Sequence, residues 1–175
     1  CEDLFLAKKW VMHEGEVSEK LNLPGVPAAA EDCGTAREIA AAAAYDVPVH
    51  ICHVSTATSA ALIRDAKARG VKVTAETAPH YLLLIDEALE KHDADYRMNP
   101  PLRSEKDRLA MIEAVKDGTI DVIATDHAPH HEDEKRCEFH IAASGISGFE
   151  TAFCISNSML VKSGRMTLPE LIERM

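Results

Sequence analysis

Residues 120–130 have the sequence IDVIATDHAPH, a short apolar run that ends in the polar residues Asp126, His127 and His130. Continuous apolar runs of this kind are typical of strands that are buried on both faces of a parallel sheet. A carboxylate and imidazoles at the C-terminal end of such a strand have no packing role, and active sites of parallel β/α folds collect at those ends. The segment therefore predicts a buried strand that leads into a chemically active site.

A second strand is predicted at 47–54, VPVHICHV, and it ends in a similar way. Strand alternation places Ile51 and His53 on one face and His50 with Cys52 on the other. Three ligands from HICH are therefore not expected to meet at one metal ion. We expect one imidazole, that of His53, at the tip of this strand.

Composition and charge narrow the class of protein. The chain has 175 residues, of which 46% are hydrophobic and 27% charged, as in ordinary globular proteins. Its 29 acidic and 19 basic residues give a formal charge of -10, and no basic cluster with aromatic neighbours is present, so nucleic acid is not an expected partner. Five scattered cysteines without a CxxC pair favour a reducing cytoplasm, and no long apolar span predicts a membrane segment.

The order of the predicted elements alternates between helix and strand. We expect a loop at 24–31, strands at 47–54 and 71–77, and a strand that follows 118. The expected helices lie at 35–45, at 59–69 before Gly70, at 104–117 with Ser104 as its cap, at 149–161, and after a capping box of Thr167 and Glu170.

Strands that are separated by single helices predict right-handed parallel βαβ units, and hence an α/β fold. Such units build either a doubly wound sheet or a (β/α)8 barrel. Polar residues at the C-terminal ends of several strands favour the barrel. With three clear strands, we expect part of a TIM-type barrel.

Four motifs resemble the dihydroorotase family of the amidohydrolase superfamily: HVST at 53–56, MNPPLR at 98–103, ATDHAPH at 124–130 and GISGFET at 145–151. The resemblance spans residues 1–175 and implies a fragment of the amidohydrolase barrel, from the end of its strand 5 through strand 8. It also implies a zinc-dependent enzyme that interconverts N-carbamoyl-L-aspartate and dihydroorotate in pyrimidine biosynthesis.

The resemblance assigns roles to particular residues. It implies that His53 and Asp126 bind one or two zinc ions, and that Asp126 also moves protons during catalysis. It implies substrate contacts from Asn99, His130 and the backbone around Ser144 and Gly145. Ala143, Ser144 and Gly145 stand where the family often has Pro-Phe-Gly, so the apolar wall that Phe supplies in relatives is absent from this triplet.

The residues alone leave alternatives open for three of these positions. His53 also fits a core histidine, Asp126 a helix cap or turn residue, and Asn99 a turn residue. His127 follows Asp126 directly and is expected to point away from the site in a structural role.

Four other polar residues receive no functional role. His13 is expected to be solvated in an acidic loop, and His80 is expected to be solvated or packed. Arg103 fits a solvated or ion-paired position beside the helix cap and is left unassigned. His131 and its charged neighbours at 132–136 are expected to form a mobile surface loop.

The segment CED at 1–3 resembles the tail of an HCED motif whose His would precede Cys1. We therefore expect an internal fragment that lacks several of the family's metal ligands. Expressed alone, such a fragment is expected to be inactive and to bind zinc weakly, since two ligands do not complete a metal site.

Two alternative functions remain open. One is a related cyclic-amide hydrolase such as a hydantoinase or allantoinase, although these relatives usually vary at the MNPPLR and DHAPH positions. The other is a non-catalytic dihydroorotase-like scaffold for a transcarbamoylase. A small-molecule substrate is expected for either enzyme, and a homo-oligomer or an aspartate transcarbamoylase partner is compatible with the family.

Overall fold

In the computed structural model, which describes residues 2–7 and 11–175, a small parallel pair of strands comes first. Strand β1 (Met12–His13) pairs with β2 (Gly25–Val26), and α1 (Glu16–Leu21) connects them. Each of these strands is only two residues long. The pair lies outside the main sheet and carries His13.

The first βαβ unit of the main sheet follows. It consists of α2 (Ala28–Tyr45), β3 (Val49–Ile51), α3 (Ala57–Ala68) and β4 (Val73–Thr77). Helix α2 begins within the predicted loop at 24–31, so that prediction is wrong beyond Pro27. Pro27 holds an extended backbone at the N-cap, and the alanine-rich segment that follows has high helix propensity.

The rest of the chain contains mostly short helices around one further strand. The elements are α4 (Pro79–Leu83), 3-10 turns at Asp86–Lys91 and Ala94–Tyr96, α5 (Glu105–Lys116), β5 (Val122–Ile123), α6 (Glu132–Lys135), α7 (Ala152–Ser156), a π-helical turn at Asn157–Val161, and α8 (Leu168–Arg174).

The local signals at helix ends are largely confirmed. Ser104 accepts a hydrogen bond from the backbone N–H of Asp107, and Thr167 with Glu170 forms the predicted capping box. Gly70 ends α3 with a φ of 79°, a left-handed value that favours glycine. The helix predicted at 149–161 starts three residues later, at Ala152, and its last turn is π-helical.

The main sheet has the order β3–β4–β5, and both neighbouring pairs are parallel. In the register, Ile51 pairs with Ala75 and Thr77 with Ile123. Each strand is joined to the next through helices, which confirms the predicted α/β class. The parallel order brings the C-terminal ends of the three strands to one edge.

The two faces of this sheet differ in character. Ile51, Ala75 and Ile123 are buried against α3 and α5 in the main hydrophobic core. The opposite face carries His50 and Glu76, with Val122 exposed beside them. Along the described ranges, no helix is both long and apolar enough to cross a membrane.

Asp86, which is 7% exposed, provides a test of the packing around the loop after α4. Burial raises its pKa from 3.8 to about 6. A raised pKa means that the folded state favours the protonated carboxyl, so stability is lost as pH rises from about 4 through 6.

We therefore predict that Asp86→Asn stabilises the protein above pH 6, by at most about 3 kcal/mol, and changes little at pH 4. Urea unfolding at both pH values measures the difference. Glu87→Gln on the same turn is exposed and serves as the control. Equal effects of Asp86→Asn at the two pH values would contradict this assignment.

Candidate functional site

The end of β3 is bent by a left-handed residue. His53 has a φ of 57°, so the strand geometry stops at Ile51. The N–H of Val54 donates to the carbonyl of Glu76 at 2.8 Å, and the hydroxyl of Thr77 donates to the carbonyl of Val54 at 2.7 Å. These bonds hold the turn after β3 against the end of β4.

The polar side chains at three strand ends meet beside this turn. Nε2 of His53 lies 3.5 Å from Oδ1 of Asp126 and 3.3 Å from Oε1 of Glu76. His53 follows β3, Glu76 lies near the end of β4, and Asp126 follows β5. Two residues that the sequence singled out are therefore neighbours, although their roles as metal ligands remain a prediction.

The electrostatic environment of Asp126 disfavours its charged form. Asp126 follows β5 in a left-handed conformation with a φ of 45°, and its side chain is 21% exposed. Burial raises the pKa of its carboxyl, the neighbouring His53 lowers it, and the like charge of Glu76 raises it again. A carboxyl with a raised pKa exchanges protons more readily near neutral pH than an ordinary aspartate does.

His80 lies on the other side of Asp126. Its residue is 4% exposed, and its Nε2 is 3.8 Å from Oδ2 of Asp126. Burial first, and then the nearby His53, lower the pKa of His80 to about 3. The expectation of a solvated His80 is wrong, whereas the packed alternative fits, since its ring lies 4.2 Å from that of Tyr81.

Glu76 connects two imidazoles. Its Oε2 lies 3.3 Å from Nε2 of His50, while its Oε1 faces His53. The prediction that His50 and Cys52 share a face is confirmed, because their ligand atoms and that of Glu76 all lie within 4.8 Å of one another. The prediction that His53 lies on the opposite face, with Ile51, is wrong, because β3 has ended at Ile51 and the left-handed His53 also contacts Glu76.

A buried ion pair holds the residues that follow the turn after β3. Nη2 of Arg103 is 3.2 Å from Oε2 of Glu31, and both side chains are 2% exposed. Oε1 of Glu31 accepts hydrogen bonds from the backbone N–H groups of Ser55 and Thr56, at 2.9 and 3.1 Å, and the hydroxyl of Ser55 donates to Oε2. Arg103, left unassigned from sequence, is thus a buried structural residue.

His13 joins this network from β1. Its Nδ1 lies 3.3 Å from Nη1 of Arg103, and burial, aided by the charge of Arg103, lowers the pKa of His13 to about 4. The expectation of a solvated His13 is therefore wrong. Strand β1 places the ring inward, which the acidic neighbours in sequence did not indicate.

Three of the predicted substrate-binding residues lie together. Nε2 of His130 donates to the carbonyl of Ser144 at 3.1 Å. Gly145 has a φ of 156°, and a Cβ there would lie 2.6 Å from the carbonyl oxygen of Ala128 and 2.8 Å from Nε2 of His130. Only glycine permits this approach. His130 and Gly145 border one depression that Lys135 also lines, and Ser144 joins them through its hydrogen bond to His130.

Lys135 anchors the segment that was expected to be mobile. Its ammonium group donates to the carbonyls of Ala94, Arg97 and Ala143 at 2.9, 3.1 and 3.0 Å. Residues 132–135 form α6 rather than an open loop. The lysine therefore fastens the backbone just before Ser144.

Asn99 lies apart from the other predicted substrate contacts. Its amide nitrogen donates to Oε2 of Glu2 at 3.1 Å, and the following peptide bond to Pro100 is cis. The hydroxyl of Tyr81 donates to the carbonyl of Pro100 at 2.7 Å and so fixes the loop. No hydrogen bond within the described parts of the chain joins Asn99 to His130 or Ser144.

His127 has a geometry that agrees with its structural interpretation. Its Nδ1 accepts hydrogen bonds from the backbone N–H groups of Gly148 and Phe149, both at 3.2 Å. These bonds leave the Nδ1 atom occupied by the 148–149 backbone. The ring therefore holds the following loop instead of facing Asp126.

Known proteins resemble this chain in sequence and in fold. No family model matches the chain. The chain is 54% identical to a dihydroorotase of Acetivibrio thermocellus and 56% identical to one of Geobacter metallireducens, over all 175 residues in both cases. By sequence, the chain is similar to part of these dihydroorotases. It spans about 41% of the length of these dihydroorotases, as a fragment of such a protein would.

Solved structures extend the relationship to other amidohydrolases. A dihydropyrimidinase of Brevibacillus agri superposes on 90% of this dihydroorotase-like chain with a TM-score of 0.79 and 30% identity, and the chain covers 35% of it. A D-hydantoinase matches 98% of the chain with a TM-score of 0.78 and 31% identity, with 38% of that protein covered. The fold is therefore part of the TIM-type barrel of the amidohydrolases, as predicted.

Glu76 and His80 are the site residues that sequence reasoning missed. Both belong to the segment ETAPHY, which ends β4 as ATDHAPH ends β5. The rule that drew attention to polar residues after 120–125 applies equally to this strand end. The signal was therefore present in the sequence.

Glu31 and Arg103 allow a test of the support beneath His53. We predict that Glu31→Gln destabilises the protein by about 3–5 kcal/mol, because it leaves the buried guanidinium of Arg103 without its counter-charge. Urea unfolding measures this loss.

The double variant Glu31→Leu/Arg103→Met is the matched comparison, because it removes both buried charges together. We expect it to be less destabilised than Glu31→Gln alone. A double variant that loses the sum of two large single effects would show that the two side chains act independently.

Proposed function

We propose that this chain is the part of a dihydroorotase barrel that carries two metal ligands, the catalytic carboxylate and several substrate contacts. The reaction is the reversible interconversion of N-carbamoyl-L-aspartate and (S)-dihydroorotate. The observation that carries the proposal is the 3.5 Å separation of His53 and Asp126 at the ends of β3 and β5, in a chain with more than half its residues identical to curated dihydroorotases.

The donor atoms suit zinc. An imidazole nitrogen of His53 and a carboxylate oxygen of Asp126 are ligands that zinc accepts. Glu76 offers a carboxylate oxygen as a third donor atom beside them. When bound, zinc would supply a Lewis acid that polarises the substrate carbonyl. We propose one or two ions per complete site, with the remaining ligands outside residues 1–175, so these residues alone should bind zinc weakly.

Asp126 is the residue that moves the proton. In the hydrolytic direction its carboxylate takes a proton from the attacking water, whose oxygen bonds to the ring carbonyl carbon. The same carboxyl then protonates the ring nitrogen as the C–N bond breaks. Ring closure runs these steps in reverse, and the raised pKa of Asp126 suits a group that must accept and return a proton.

Residues of the surrounding loops bind the substrate in this proposal. The backbone at Ser144 and Gly145 approaches the depression beside His130, which offers an imidazole for the substrate carboxylate. Asn99 offers an amide with both a donor and an acceptor, and its Oδ1 is buried without a hydrogen-bond partner among the described residues. We assign these four residues to the pyrimidine ring and its carboxylate.

The wider setting of the proposal follows from the family. It comprises a step of pyrimidine biosynthesis, a cytoplasmic location, and either a homo-oligomer or association with an aspartate transcarbamoylase. A membrane or nucleic-acid partner has no part in it.

A hydantoinase-like activity is the second candidate, and the structural neighbours favour it. Those neighbours are a dihydropyrimidinase and D-hydantoinases, yet their identity to this chain is 30–31% against 54–56% for the dihydroorotases. Assay of the full-length protein with dihydroorotate, hydantoin and dihydrouracil separates the candidates. Turnover of hydantoin alone would replace the first proposal, and no turnover of any would favour a non-catalytic scaffold.

For Asp126→Asn in the full-length protein, we predict a loss of turnover of roughly 10²–10⁴-fold. In the metal-free protein, stability should stay the same or rise, because burial already disfavours the charged carboxylate. Steady-state assays and thermal unfolding measure the two effects. Asp65→Asn, on the exposed side of α3, is the control, and a near-normal rate for Asp126→Asn would remove Asp126 from its role.

Gly145→Ala tests the substrate loop. The added methyl would lie 2.6 Å from the carbonyl of Ala128, so the loop must move away from His130, and we expect KM for dihydroorotate to rise about tenfold or more. Gly164→Ala is matched for positive φ, at 75°, but meets no atom within 4 Å. Equal KM values for the two variants would contradict the proposed contact.

A further inference from the structure

We propose that His80 is a positioning residue for Asp126: its Nε2 holds Oδ2 of Asp126, so that Oδ1 faces His53. This inference rests on the proposed function, because it gives Asp126 a fixed orientation for catalysis. It assigns a use to an imidazole that has no other polar partner among the described residues.

The first support is the unsatisfied state of the ring. His80 is 4% exposed, and neither Nδ1 nor Nε2 has a hydrogen-bond partner within the described parts of the chain. Buried polar atoms are nearly always paired, since an unpaired one costs about 1–3 kcal/mol. A buried imidazole with two unpaired nitrogens therefore calls for a nearby acceptor or donor.

The second support is the distance between the ring of His80 and the carboxylate of Asp126. Oδ2 of Asp126 lies 3.8 Å from Nε2 of His80, within about one ångström of hydrogen-bond distance. The neighbouring ring of Tyr81 meets His80 at 65°, but the hydroxyl of Tyr81 is engaged with Pro100. The carboxylate of Asp126 is therefore the proposed partner of Nε2.

The third support is the rigidity of the backbone that carries His80. The hydroxyl of Thr77, three residues earlier, donates to the carbonyl of Val54. The backbone carbonyl of Thr77 accepts a hydrogen bond from the N–H of Ala124 at 2.9 Å. The end of β4 is thus tied to both neighbouring strand ends. Pro79 starts α4 directly afterwards, which holds the imidazole of His80 in the core.

Such an anchor has a clear use at Asp126. Oδ1 of Asp126 lies 3.5 Å from Nε2 of His53. The nearby Glu76 carries the same charge as Asp126 and repels its carboxylate. A carboxylate that binds a metal ion and moves a proton works best when a second group fixes its rotation. His80 would leave Oδ1 for the reacting centre and would hold Oδ2.

The test compares three variants of the full-length protein. His80→Gln places an amide nitrogen near the position of Nε2, His80→Asn places it near that of Nδ1, and His80→Leu removes both. For each variant we would measure kcat and KM for dihydroorotate and the rate at which a chromogenic chelator removes zinc. Thermal unfolding of each variant reports whether the core is intact.

We expect His80→Gln to keep kcat and the zinc-release rate within about threefold of wild type. His80→Asn and His80→Leu should lose roughly 10–100-fold in kcat and release zinc faster by a similar factor, with little change in KM. The Gln and Asn variants differ by one methylene, so a purely structural role would affect both alike. Equal behaviour of Gln and Asn variants, or wild-type values for all three, would overturn the inference.

The outcomes also separate this inference from the proposed function. A wild-type protein that does not turn over dihydroorotate refutes the proposed substrate, and the zinc-release comparison of the Gln and Asn variants then still decides the role of His80. A wild-type protein that binds no zinc refutes both. Normal turnover by wild type and by all His80 variants refutes the role of His80 alone.

Discussion

The buried ion pair of Glu31 and Arg103 is the interaction on which the site depends. It joins the first turn of α2 to the residue just before α5, and between them it holds the N–H groups of Ser55 and Thr56. The turn after β3 ends at these residues, just before α3, so the pair fixes the backbone that follows His53. A buried charge pair of this kind stabilises only when its geometry satisfies both ions, and the additional bonds from Ser55 and Thr56 do so.

The polar cluster at the strand ends follows from that support. Parallel strands end at the same edge, which brings His53, Glu76 and Asp126 within hydrogen-bonding reach of a common centre. Left-handed residues at His53 and Asp126 turn the chain at two of the three strand ends. Backbone conformations of this kind are uncommon for residues other than glycine, and they persist where surrounding bonds determine them.

The solved structures share the framework of the molecule, and most of the sequence motifs lie in its loops. The β/α framework superposes on dihydropyrimidinase and D-hydantoinase structures at about 30% identity, so it is common to several amidohydrolases. The loops at 98–103 and 124–151 carry three of the motifs that resemble the dihydroorotase family. Lys135 and Gly145 shape the second of these loops through contacts with its backbone.

The sequence by itself determined the fold class, the helix caps at Ser104 and Thr167, and the placement of His53 and Asp126 at strand ends. These rest on local signals: apolar runs, capping residues and polar strand ends, which are properties of neighbouring residues along the chain. The tertiary structure alone decided that Glu31 pairs with Arg103, that His80 is buried and His13 half-buried beside Arg103, and that Glu76 contacts both His50 and His53. These facts depend on contacts between residues up to 90 positions apart, which no local pattern specifies, because burial is set by the packing of whole elements.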